Sequence, residues 1–248
     1  MGGRGASSRT SAAGGVIEVP KMPARRSGTT DAQRKAYRAK RDAVSRELDR
    51  LADEAAASAA SMSLDEAAAL ASESGMAIDR ESLAPMDGRS VGVLVSTTAD
   101  LMRKYPLVRN EYERSGGTFL LTGKAQKGND ADSFGGINLG AAFTDYRSAT
   151  RSYMDSASRG IMVNGDGTAR SIVRHEFGHE LHSALMLSMP SSSYREMTSA
   201  AVSLAKSRGS EYARTDKYEA FAEGFAEYES NPRSAYGRAF GKLLKKYL

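Results

Sequence analysis

The run His175-Glu176-Phe177-Gly178-His179 sets two imidazoles four residues apart with a carboxylate between them. On a helix, residues i and i+4 share a face, so both rings can reach one metal ion. Glu176 is rotated by about 100° from His175, which turns it off the ion and toward a water bound there. Metal-assisted hydrolysis requires this arrangement: zinc lowers the pKa of its water to about 7 and polarises a carbonyl, while a carboxylate takes the proton. The motif is short enough to arise by chance, but all three histidines of the chain fall within eight residues. His182 shares the face yet stands about 10 Å along the axis from His175, too far to bind the same ion, and reads as a polar lining residue.

Two histidines fall short of the three protein ligands usual for catalytic zinc. Leu185 and His182 stand where one known pattern needs a third histidine and a glycine, and the chain has no cysteine, so a downstream carboxylate must complete the set. Candidates lie in the stretch from Tyr218 to Glu227. There Tyr218, Phe221, Ala222 and Phe225 form one apolar helix face, and Glu219, Glu223 and Glu227 form the adjoining one. Glu219 falls where a buried helix meets a cleft, and Glu227 lies furthest round, at a position expected to be solvated. Acidic residues at i, i+4 and i+8 also describe an ordinary wet face, so spacing alone does not choose among them.

His175-Glu176-Phe177-Gly178-His179, with Tyr212 and then Glu219-Ala220-Phe221-Ala222-Glu223-Gly224-Phe225, resembles the gluzincin-type zinc metallopeptidase domain of anthrax toxin lethal factor. Domains of that kind also accompany phage head proteins and polymorphic toxins. The resemblance covers about residues 160–230. It implies a zincin-like fold, one Zn²⁺ held by His175, His179 and Glu219, Glu176 as the water-activating base, Glu223 orienting a ligand histidine, and Tyr212 stabilising the oxyanion. Ala220 and Gly224 depart from the pattern at positions that are not ligands. Gly224 costs a helix about 1 kcal/mol against Ala, which points to close packing there.

The elements that must position these residues follow from periodicity and punctuation. A long helix over about Thr168–Leu187 carries the histidines, with Val173, Phe177, Leu181 and Ala184 as an apolar stripe opposite them. A second covers roughly Asp216–Glu229, and a third runs from Ser234 to the C-terminus. Upstream, Val91–Val95, Thr118–Leu121, Ile137–Leu139 and Ile161–Asn164 read as strands. Thr98–Arg114 reads as a helix broken at Pro106, Arg147–Ser158 as a helix, and Gly123–Ser133 as a polar loop. Ile161–Asn164, closed by Gly165-Asp166-Gly167, is the expected edge strand for an extended peptide substrate, which favours endopeptidase action. The class is α+β: a small mixed sheet, an active-site helix and a glutamate helix over residues 89–248, preceded by a helical extension over 31–88. In that extension Asp31–Ala60 and the stretch after the capping box Ser63-Leu64-Asp65-Glu66 form helices with thin apolar faces, suited to a lid, linker or docking element. Residues 1–30, rich in Gly, Ser, Arg and Pro, read as a disordered basic tail.

Composition narrows the setting. With 248 residues, 40% hydrophobic and 26% charged, the chain is of ordinary globular type, and no apolar run reaches the roughly 18 residues of a membrane span. Residues 1–50 hold 12 Lys and Arg against 5 Asp and Glu, so the overall charge of +5 belongs to this arm. The arm is a solvated basic segment or a contact for an anionic partner; Tyr37 is its single aromatic residue, too few for base stacking. No apolar stretch follows Met1, so the expectation is a cytoplasmic protein, or a virion-associated one if phage-encoded. The expected function is hydrolysis of a peptide or protein substrate. The alternatives are a phage head-associated assembly protein with a zinc site and a toxin effector domain.

Overall fold

Capping chemistry and glycine placement mark out most of the helices. The computed structural model describes residues 16–24, 30–127 and 129–248. Thr30 and Gln33 form a reciprocal capping box that opens helix α1 (Asp31–Ser58), and Ser63 with Glu66 does the same for α2 (Leu64–Glu73). Strand β1 (Met76–Ile78) and the short helix α3 (Arg80–Leu83) follow, then α4 (Gly88–Lys104) and α5 (Pro106–Arg114), which meet at Tyr105 because a proline cannot continue the helix before it. Strands β2 (Phe119–Thr122), β3 (Ala131–Asp132) and β4 (Gly136–Leu139) precede α6 (Tyr146–Arg159). Helices α7 (Arg170–Ser188), α8 (Ser191–Arg208), α9 (Lys217–Ser230) and α10 (Ala235–Leu244) follow, joined by loops.

The class is α+β, mostly helical, around one four-stranded mixed sheet in the order β1-β2-β4-β3. β1, β2 and β4 are parallel, while β3 lies antiparallel to β4 at the edge, pairing Ala131 with Leu139 and Asp132 with Asn138. Helix α7 packs under this edge and against α4, α5 and α9. Val173, Phe177, Leu181 and Ala184 are all buried, as their spacing predicts, and Phe177 meets Tyr105, Phe119 and Phe225 in an aromatic cluster. A Cβ on Gly178 would lie 2.9 Å from Ala222 Cα, and one on Gly224 would lie 2.2 Å from Phe240 Cδ2. Both glycines let α9 be approached closely, by α7 on one side and α10 on the other.

Several expectations change. Val91–Val95 is helix within α4, not strand: Ser90 through Val95 are buried on every side, and a helix enclosed all round shows the same unbroken apolar run as an interior strand. Ile161–Asn164 is not a strand either. Gly160 O and Ile161 O accept from the backbone of Glu211 and Tyr212, and Val163 N is taken by a side chain. Helix α8 falls in a Ser-rich stretch whose polarity resembles a loop. It forms because Met197, Thr198, Ala201 and Ala205 bury one stripe beside α9 and α10.

The N-terminal helices are more than a lid. Leu48 and Ala52 of α1 and Ala67 and Ala71 of α2 belong to the same continuous core as the sheet, and β1 pairs with β2 ahead of residue 89. Arg147 and Arg151 of α6 reach Asp53 and Asp49 of α1 at 2.5 and 2.7 Å. Of the expected tail, residues 1–15 and 25–29 lie outside the described residues, while 16–24 are placed against the fold. No described helix is long and apolar enough to cross a membrane.

Candidate metal centre

Helices α7 and α9 cross so that His175, His179 and Glu219 point at one another. The two Nε2 atoms are 3.0 Å apart, and Glu219 Oε2 lies 3.0 Å from that of His175 and 3.5 Å from that of His179. One ligand atom from each residue fits within 4.8 Å of the others, so the group can hold a metal ion. Asp216 caps α9 by accepting from the backbone of Tyr218 and Glu219, which fixes the first turn that carries the carboxylate.

The hydrogen-bond roles decide what the three atoms need. His175 Nδ1 faces Glu223 Oε1 at 3.2 Å, and the fully buried Glu223 accepts through Oε2 from Val163 N at 2.9 Å and Ser210 Oγ at 2.6 Å. A carboxylate in that position accepts a hydrogen bond from Nδ1–H, so the lone pair of His175 sits on Nε2, toward His179 and Glu219. Glu219 Oε2 is buried without a hydrogen-bond partner. With two acceptors, His175 Nε2 and Glu219 Oε2, 3.0 Å apart and His179 Nε2 within 3.5 Å of both, a shared cation, either a proton or a metal, holds the group together. The titration directions agree. Burial works against charge on His175, but the carboxylates of Glu219 and Glu223 close to its ring outweigh that and raise its pKa well above the usual imidazole range. Burial pushes Glu219 up, and its contacts with His175 and His179 bring it below the usual carboxylate range.

Glu176 is buried, and burial raises its pKa, with the carboxylates of Glu219 and Asp132 adding to the rise. It lines a cleft of about 560 Å³ together with His175, His179, Glu219, Tyr212 and the β3 segment Asn129–Ser133. The Tyr212 ring stacks on His175 at 5.7 Å between centroids, and burial with the charge of Glu219 holds its hydroxyl above the ordinary phenol pKa. All six residues singled out from the sequence therefore meet at one place.

Two neighbours differ from expectation. His182 is not a cleft residue: it is 1% exposed and stacked on Tyr194 and Phe221, because α8 covers that turn of α7. Glu227 is not solvated. It is buried and accepts from Gly165 N at 2.9 Å, under a loop that a helical wheel does not show. Sequence reasoning missed Ser210, whose role rests on a loop meeting α9, and Asp132, which sits on a two-residue strand within an expected loop. It also missed Glu180, buried and bonded to the Tyr112 hydroxyl at 2.8 Å.

Compared with protein-family models, curated proteins and solved structures, the chain matches none of them.

Proposed function

We propose that this protein is a zinc-dependent peptidase of zincin-like fold, of the gluzincin type. The observation that carries the reading is the convergence of His175, His179 and Glu219 beside the carboxylate of Glu176, in a cleft walled by the sheet edge. The donor set, two imidazoles and one carboxylate with no thiolate, suits zinc. Bound there, zinc would supply Lewis acidity toward a water and a peptide carbonyl.

The chain's own residues account for the rest of the chemistry. Glu176 accepts the proton of the attacking water and delivers it to the leaving amine; its raised pKa brings it nearer neutrality, where a group both takes and gives a proton. Tyr212 keeps its proton and donates it in a hydrogen bond to the carbonyl oxygen as charge develops there. Glu223 holds the His175 ring in place. An extended peptide would pair with the antiparallel edge β3, not with Ile161–Asn164, whose backbone groups are already engaged. Access along an open edge favours cleavage within a chain.

The test is a diverse peptide library incubated with the zinc-loaded protein and with Glu176→Gln. Cleavage by the wild type, reduced at least about 100-fold in the variant while both bind one zinc, is the expected result. Equal cleavage by both, or no zinc bound by the wild type, overturns the proposal.

A further inference from the structure

The loop joining α6 to α7, residues 160–167, serves the metal centre three times. Val163 N donates to Glu223, Ile161 O accepts from Tyr212 N, and Met162 lines the cleft. The same loop grips a segment from the far end of the sequence. Ile17 N donates to Asp166 O at 3.0 Å, and Met22 N donates to Ser158 O, just before the loop, at 2.8 Å. The Asn164 side chain takes the backbone between them on both sides: Oδ1 accepts from Val19 N, and Nδ2 donates to Ile17 O, each at 3.1 Å. Val19 is buried between these contacts. At Gly167, where φ is +78°, a Cβ would stand 2.6 Å from Ile17 O, so the loop carries a glycine where the segment passes.

We propose that Val16–Ala24 is a strap that positions the metal centre, and that Asn164 is the positioning residue through which it acts. The route has three links: the strap fixes Asn164, the adjacent Val163 N holds Glu223, and Glu223 orients His175. A bidentate amide bond to residues i and i+2 of an extended segment is how folds seat a peptide by its backbone, with Val19 as the side-chain anchor. The strap does not reach the cleft, so its effect falls on ligand geometry and not on substrate contact.

The inference rests on the metal-site reading, so its test includes a measurement that needs no metal. In the metal-free full-length protein, exchange of the His175 Nδ1 proton is followed by ¹⁵N-histidine NMR. In the Co²⁺-loaded protein, affinity and the visible absorption bands are recorded. Asn164→Ala is expected to speed proton exchange and to weaken Co²⁺ binding about tenfold, the lower end of what losing an outer partner of a ligand histidine costs. Asn164→Asp, which retains the acceptor for Val19 N and loses the donor to Ile17 O, should fall between. The exposed Glu18→Ala should match the wild type in both. Val19→Ala, which thins the anchor without touching the loop, should shift both readouts in the same direction even if Asn164→Ala does not fold. Wild-type exchange and Co²⁺ spectra in folded Asn164 and Val19 variants would overturn the strap. Faster exchange in a chain that binds no Co²⁺ would leave the strap standing and remove the metal.

Discussion

Helices α7 and α9 enclose two polar regions one turn apart, and they are built on opposite principles. At the cleft end, His175 Nε2, His179 Nε2 and Glu219 Oε2 lie within 3.5 Å of one another, and the last is buried without a donor. One turn further along α9, Glu223 is met by Val163 N, Ser210 Oγ and His175 Nδ1, and beyond it Glu227 is met by Gly165 N. Three glutamates spaced by four residues thus have two fates. Charge does not separate them, and Glu219 is only somewhat less buried than the other two; what differs is whether their lone pairs are satisfied. Where acceptors converge unsatisfied the fold asks for a cation, and where each finds a donor the carboxylate is scaffold.

The contrast breaks most visibly at Glu219. Glu219→Ala removes one of three ligand atoms and should lower zinc affinity by more than the roughly 10–100-fold that an outer partner costs, as read by competition with a zinc-binding dye. The fold should tolerate it, since the half-exposed first turn of α9 loses no buried bond. Retention of full zinc affinity would end the ligand assignment.

Glu223→Ala should do the reverse. It orphans two buried donors, Val163 N–H and the Ser210 hydroxyl, so destabilisation of about 1–3 kcal/mol per donor is expected from urea unfolding. Zinc affinity should fall by about 10–100-fold through the freed His175 ring. A variant that loses metal without losing stability would place Glu223 with the ligands instead.

Two other buried groups on α7 sharpen the comparison through pH. Burial, with the charges of His179 and Lys217, lowers His182 to about 4, so below its ordinary value of 6.5 the native state binds fewer protons than the unfolded chain. Its contribution is present above pH 6.5 and is lost as pH falls toward 4. Glu180 is raised to about 7 by burial, its bonds from Tyr112 and Gly136 offsetting part of the rise. Its contribution has the opposite sign, present below about pH 4.5 and lost as pH rises through 7. In metal-free protein His182→Phe should flatten the acid limb and Glu180→Gln the decline in stability toward neutral pH. Each effect is at most about 3 kcal/mol over its window, measured by denaturant titration at stepped pH. His182→Phe should leave zinc affinity unchanged, because its ring lies among Tyr194, Tyr218 and Phe221 and not in the cleft. Limbs identical to wild type would show that neither group titrates in these ranges.

Much of this was legible in the residues. The α7 face, its apolar stripe, the break at Pro106 and the capping box at Ser63 depend on neighbours three or four positions away, and α-helical geometry fixes those relations before any tertiary contact forms. The choice among Glu219, Glu223 and Glu227 was not of that kind: their spacing is symmetrical, and the resemblance, not the periodicity, singled out Glu219. Val91–Val95 misled because a helix covered on all sides loses its polar stripe, and Ile161–Asn164 misled because an apolar run says nothing of what its backbone will bond.

The sequence by itself determined that two histidines share one helical face with Glu176 about 100° round from them, since 3.6 residues per turn place them so in any helix. Only the tertiary structure decided which carboxylate meets them, which are silenced by backbone donors, and that a segment near residue 17 reaches the loop at 164. Those outcomes depend on long-range packing of α9 and the loop against α7, which no local period encodes.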